Sequence, residues 1–160
     1  MTDVEANELE AARQCALGLL ARREHSAKEL RHKLSLRGYA DAVIQNVVDE
    51  CMAKAWLDDG RFAEIYARSR LAKGYGPLKI DQELAQRGVE KPNWPELLAE
   101  LATDWPTCLR NVYQRKYGSA PPDGRADYAR CVRFLVQRGF PLTLIQTVLS
   151  EITHSANGKD

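Results

Sequence analysis

An arginine–glycine pair occurs three times in this chain, as Arg37-Gly38, Arg87-Gly88 and Arg138-Gly139, with the glycines spaced by 50 and then 51 residues. A fixed period of this length marks a chain built from repeated supersecondary units. The match extends well beyond the pair. Four residues before each glycine stands Leu34, Leu84 or Leu135, and eight before it stands Leu30, Ile80 or Cys131, the i, i+4 apolar stripe of a helix. Twelve before it lies a residue able to start a helix: Ser26 with Glu29 as a capping box, Gly76 followed by Pro77, and Asp127. The glycines fit the left-handed position just past a helix end, where a Cβ is costly.

A second helical stripe follows each glycine: Ile44, Val47, Val48 and Cys51; Trp94, Leu97, Leu98 and Leu101; Ile145, Val148, Leu149 and Ile152. A third precedes each capped helix: Cys15, Ala16, Leu19 and Leu20; Phe62, Ile65, Tyr66 and Ser69; Cys108, Leu109, Val112 and Tyr113. Each repeat therefore encodes three helices, and no segment alternates as a strand would. The expected fold is all-α, three tandem three-helix, helix-turn-helix-like repeats forming an elongated, curved array. The expected boundaries are an acidic flexible tail at 1–10, repeats at 11–58, 59–103 and 104–153, and a flexible tail at 154–160. The third repeat carries a longer loop, 117–124, rich in glycine and proline. Trp94 falls on a core position, and Trp56 and Trp105 fall near repeat junctions and are expected to pack there.

With 160 residues, 44% of them hydrophobic, the chain is expected to fold, and a formal charge of +1 gives no overall electrostatic reason to bind nucleic acid. Charge is segregated locally instead. Residues 11–40, 61–88 and 106–139 carry +5, +3 and +5, whereas 41–60 and 89–105 carry −4 and −3. The first two helices of every repeat are thus basic and the third is acidic or near neutral, which suits a partner presenting phosphates together with a protein surface.

No apolar run approaches a membrane span, and Asp3, Glu5, Glu8 and Glu10 leave no basic start for a secretory signal, so a cytoplasmic location without membrane contact is expected. Cys15, Cys51, Cys108 and Cys131 are far apart and form no Cys-x-x-Cys pair; they are expected to be reduced core residues. No metal or cofactor site is expected. The chain carries no acid–base cluster or nucleotide loop, so it is not expected to be an enzyme.

Residues 57–80 read LDDGRFAEIYARSRLAKGYGPLKI. The acidic pair Asp58-Asp59, the run Arg61-Phe62-Ala63, Tyr66, the run Arg68-Ser69-Arg70-Leu71, the turn Gly74-Tyr75-Gly76-Pro77 and the helix that ends at Arg87-Gly88 resemble the central motif of the RecX family. The resemblance extends to the first repeat through LLARREHSAKELRHKL and Gly38, and more weakly to the third through Arg138-Gly139. It implies a monomeric negative regulator of the RecA recombinase. Such a protein binds the RecA–DNA filament and suppresses ATPase, strand-exchange and coprotease activities by blocking growth or promoting disassembly. RecA is the implied primary partner and single- or double-stranded DNA the secondary one.

The residues themselves supply a second reading. Asp58 and Asp59 precede a helix start, where carboxylates cap free amides. Arg68 can pair with Glu64 one turn away. Arg68 and Arg70 lie about 200° apart around a helix of 3.6 residues per turn, so only a grooved partner engages both. Arg70, Lys73 and Lys79 surround the Gly-Pro turn and are the leading candidates for contact with phosphate or an acidic surface, with Tyr75 stacking on a base or packing over the turn. Arg22, Arg23, Lys28 and Arg31, with Lys33, form an equivalent basic elbow around Ser26, and Arg130 and Arg133 are the matching candidates in the third repeat. Two other functions fit these features. One is a direct helix-turn-helix-like nucleic-acid-binding protein; the other is a helical scaffold for another protein.

Overall fold

A computed structural model describes residues 1–158. Among the described residues there are nine helices and no strand: α1 (Asp3–Arg22), α2 (Ala27–Leu36), α3 (Asp41–Ala53), α4 (Asp59–Ala72), α5 (Pro77–Gln86), α6 (Trp94–Glu100), α7 (Trp105–Tyr117), α8 (Gly124–Gln137) and α9 (Leu142–Asn157). They fall into the three triplets set by the glycine period. Among the described residues two compact units emerge, one of residues 1–65 with 84–90 and the other of 66–83 with residues from 91 onward, so the second triplet is divided between them.

The middle helix of each triplet repeats the same plan. Leu30 and Leu34, Ile80 and Leu84, and Cys131 and Leu135 are all fully buried. After each of these helices the glycine takes a positive φ, 85° at Gly38, 73° at Gly88 and 99° at Gly139. The amides of Tyr39, Val89 and Phe140 then reach back to the carbonyls of Leu34, Leu84 and Leu135 at 3.4, 3.1 and 3.2 Å. This is a Schellman closure, which satisfies the last carbonyls of the helix and turns the chain towards the next one.

Two of these glycines have a second role. A Cβ built on Gly88 would stand 3.0 Å from Cβ and Cδ of Lys28, at the start of α2, whose Nζ donates to the Gln86 carbonyl at 3.0 Å. A Cβ on Gly139 would stand 2.7 Å from the backbone nitrogen of Lys79, and one on Gly76 would stand 2.6 Å from the Gly139 carbonyl. Across that contact Gly76 N donates to Arg138 O at 2.7 Å and Leu78 N to Gly139 O at 3.0 Å. The start of one middle helix thus abuts the glycine that ends the next. Gly38 ends the first middle helix, and nothing lies within 4 Å of its Cβ position.

In the first and third triplets each helix packs on the other two. One core joins Ala16, Leu19, Leu30, Leu34, Val47, Val48 and Cys51; another joins Leu109, Tyr113, Cys131, Leu135, Phe140, Ile145 and Leu149. Burial pushes the Cys51 and Cys131 thiols up, as expected of sealed side chains. Tyr113 is likewise sealed, its phenol pushed up to about 12 by burial, and its hydroxyl donates to the Ala120 carbonyl at 2.5 Å. That bond ties the long loop to α7.

Several expectations need correction. Residues 3–10, expected as part of a flexible tail, are the opening turns of α1, started by a Thr2–Glu5 capping box that satisfies its first amides. Residues 154–157 likewise belong to α9, and the rest of the expected tail beyond Gly158 lies outside the described residues. Asp127 does not start α8, which begins at Gly124; its carboxylate instead accepts from Asp123 N at 2.8 Å, one turn back. Ile65 is 48% exposed and Ser69 is exposed, because the buried face of α4 runs through Phe62, Ala63 and Ala67. Leu101 lies just past the short α6 and is 39% exposed. Trp56 is also 39% exposed, with Lys54 Nζ 4.6 Å from its ring centre, whereas Trp105 does pack, edge-on to the buried Trp94 at 5.0 Å.

His25 is sealed within this fold, 1% exposed. Its Nδ1 lies 3.0 Å from Arg23 O and its Nε2 2.8 Å from Lys33 Nζ, a pairing that fits the neutral ring, donating through Nδ1 and accepting at Nε2. Burial holds its pKa below the ordinary histidine value. Since the unfolded chain takes up this proton first, His25 stabilises the fold fully above pH ~6.5 and loses that contribution as pH falls towards the lower folded value. Between pH 7.5 and 5.5, above the carboxylate range, the unfolding free energy should fall by at most about 1.4 kcal/mol per pH unit, and the urea midpoint with it. His25→Gln should flatten that dependence, and an equally steep fall in the variant would place its origin elsewhere.

Candidate functional site

The turn between α4 and α5 gathers most of the predicted candidates. Gly74 (φ +88°) ends α4, and the Tyr75 amide returns to Arg70 O at 3.1 Å. This fixes the Tyr75 ring, over which stand the guanidinium of Arg70 at 3.7 Å, that of Arg138 at 4.8 Å and Lys79 Nζ at 4.9 Å. Tyr75 therefore works as a platform for cations.

Arg70, however, is turned inward. It lies one turn beyond Tyr66 and two beyond Ala63, on the buried side of α4, and its Nη2 donates to Glu83 at 2.8 Å. Glu83 also accepts from the Tyr66 hydroxyl. Burial alone would lower the Arg70 pKa, but the Glu83 hydrogen bond holds it above the ordinary value. Its charge is thus answered within the fold. Arg68 points the other way around the helix and reaches Glu100 at 2.5 Å.

On the other side of Gly74 lies an open cavity of about 170 Å³, lined by Lys73, Gly74, Val112, Arg115, Lys116, Phe134 and Arg138. The cations come from three helix ends: Lys73 follows α4, Arg115 and Lys116 close α7, and Arg138 caps α8. Arg138 Nη1 donates to Lys73 O at 3.1 Å, and its guanidinium lies 5.3 Å from the Phe134 ring centre. Lys116 Nζ lies 5.1 Å from the same ring. Among the described residues none of these four cations makes an ion pair.

The remaining candidates do not join this cluster. Arg23 pairs with Glu29 at 3.0 Å, and Lys28 is held at the Gln86 carbonyl. Arg22 and Arg31 are exposed. Arg130 lies 3.4 Å from Asp127, and Arg133 is exposed further along α8. Asp58 caps its own helix, accepting from Arg61 N at 3.0 Å. Asp59 accepts instead from Ala27 N at 2.8 Å, capping α2. Both aspartates thus serve helix starts.

Sequence reading missed Arg115, Lys116, Arg138 and Phe134. Arg138 was visible only as part of the repeat marker, and the Arg115-Lys116 pair just before the loop was the available signal. No helix among the described residues is long and apolar enough to cross a membrane, and no group of histidine, cysteine and acidic residues among them could hold a metal ion.

Comparison with known proteins matches all three triplets. The first, second and third three-helix domains of RecX match residues 12–51, 58–95 and 107–149. The regulatory protein RecX of Halorhodospira halophila is 43% identical over 131 residues, covering 82% of this chain and 81% of that one. That of Pseudomonas putida strain KT2440 is 39% identical over 140 residues, covering 88% and 90%. The crystal structure of RecX from Lactobacillus salivarius superimposes with a TM-score of 0.72 at 21% identity over 92% of this chain and 98% of the other, a likeness of fold. With its three domains matched in order and relatives aligned along most of its length, this chain belongs to the RecX family.

Proposed function

We propose that this chain is a negative regulator of RecA that binds the RecA–DNA filament and acts by occupancy, without chemistry of its own. In this reading a monomer in the cytoplasm inhibits filament ATPase, strand-exchange and coprotease activities by blocking subunit addition or promoting disassembly. The supporting observation is the alignment with proteins named regulatory protein RecX along most of both chains. The alternation of charge adds a physical reason. A surface with basic elbows beside acidic helices complements a filament that offers both phosphates and protein. DNA is the secondary partner, and Lys73, Lys79, Arg22, Arg31 and Arg133 keep exposed or half-exposed cations for it.

The test is RecA ATP hydrolysis on single-stranded DNA, titrated with this protein at two salt concentrations beside its binding to the bare DNA. Inhibition is expected at concentrations where bare DNA remains unbound. Inhibition that merely follows DNA occupancy would replace this reading with direct nucleic-acid binding. No inhibition at all would remove RecA as the target.

A further inference from the structure

We infer that Lys73, Arg115, Lys116 and Arg138 form a seat for a phosphate group, either a phosphodiester of a single nucleic-acid strand or the phosphate of a free nucleotide. This extends the secondary DNA contact proposed above to a defined place in the second unit. Three observations carry it. Four cations line one cavity, and among the described residues none has a carboxylate partner, whereas Arg13, Arg23, Arg61, Arg68, Arg70 and Arg110 all do. The three helix ends that deliver them contribute about half a negative charge each, which four full positive charges outweigh. The site is therefore net positive.

Second, Arg138 is pre-oriented. Stacking near Tyr75 and Phe134 and donation to Lys73 O fix the plane of its guanidinium while using one of its five N–H groups, so a fork of donors stays available. Phosphate oxygens match that fork. Third, about 170 Å³ is below the roughly 300 Å³ at which pockets enclose whole small molecules. The cavity admits a group of a ligand whose remainder lies outside. A phosphate carrying a nucleoside has that shape.

The probe is a fluorescein-labelled 12-nucleotide oligothymidylate, titrated with the full chain in the absence of RecA. Lys73, Arg115 and Lys116 are exposed, so the triple variant Lys73→Gln/Arg115→Gln/Lys116→Gln should melt like the parent. It should bind at least ten times more weakly, with a salt slope shallower by about 0.7, the contribution of one phosphate contact on a single strand. Arg37→Gln/Lys91→Gln/Arg125→Gln removes the same charge from exposed positions elsewhere and should cost less than threefold. Arg138→Gln alone should weaken binding even with the other three cations present.

ATP that displaces the oligonucleotide from the parent protein, but binds neither the Lys73→Gln/Arg115→Gln/Lys116→Gln variant nor Arg138→Gln, would mark a free nucleotide as the ligand; no displacement by ATP would mark the strand. Equal losses in the two triple variants, unchanged binding in the first, or displacement by polyglutamate as effective as by unlabelled oligonucleotide would overturn the seat. Because RecA is absent, failure here leaves the filament reading standing. Failure of RecA inhibition would likewise leave the seat intact.

Discussion

Gly139→Ala should destabilise the chain by about 4 kcal/mol, while Gly38→Ala, the same change at the same position of the first repeat, should cost about 1 kcal/mol. Both glycines hold positive φ, so both substitutions force an L-residue into the left-handed region. Only Gly139 also lies against another backbone. Its added Cβ would be 2.7 Å from Lys79 N, and the opposing Gly76 already stands against the Gly139 carbonyl with room for no Cβ of its own. Two hydrogen bonds, Gly76 N to Arg138 O and Leu78 N to Gly139 O, must lengthen to make space. No flexible side-chain end can give way, so the displacement falls on the helices. Urea midpoints for the two variants measure the difference. Equal losses would mean that the glycine contact carries no load beyond its backbone conformation.

Arg70→Ala should cost about 2 kcal/mol of stability, with Lys73→Ala, three residues on, within about 0.5 kcal/mol of the parent. Arg70 and Glu83 have side chains only 21% and 16% exposed, so truncation takes the Arg70 cation away from a mostly buried carboxylate and from the Tyr75 ring. A fully buried pair would cost about 3–5 kcal/mol to break, and the remaining exposure argues for less. Arg70→Lys should recover only part of the loss, since an ammonium keeps the charge but not the planar stack. Denaturant unfolding of the three variants decides this, and a neutral Arg70→Ala would return Arg70 to the list of surface cations. A binding experiment that removes Arg70 together with Lys73 and Lys79 would therefore mix loss of fold with loss of contact.

The repeat was legible because its determinants are local. A left-handed glycine, a Ser26–Glu29 capping box, Pro77 at a helix start and apolar residues at i and i+4 act within one or two turns, and the structure holds each of them as read. The same locality explains where reading failed. Asp127 looks like a cap by its register with Ser26, but three earlier residues also accept helical geometry, and only packing chooses the start. Ile65 satisfies the apolar spacing of α4 as well as Ala63 and Ala67 do, yet the helix buries its alanine side.

For the candidate site the division is sharper. Basic residues were visible one by one along the chain, but charge in a sequence carries no information about which carboxylate lies nearby in space. Arg70 and Glu83 are 13 residues apart and Arg138 and Lys73 are 65 apart, on elements that meet only when the chain folds. The sequence by itself determined three three-helix repeats and their left-handed glycine ends, because short-range sterics and periodic burial suffice for these, and the motif of residues 57–80 pointed to the family. Tertiary structure decided which cations are neutralised and which remain open. Coulomb interactions depend on distance through space, and only the close approach of Gly76 and Gly139 brings the end of α8 to the turn after α4.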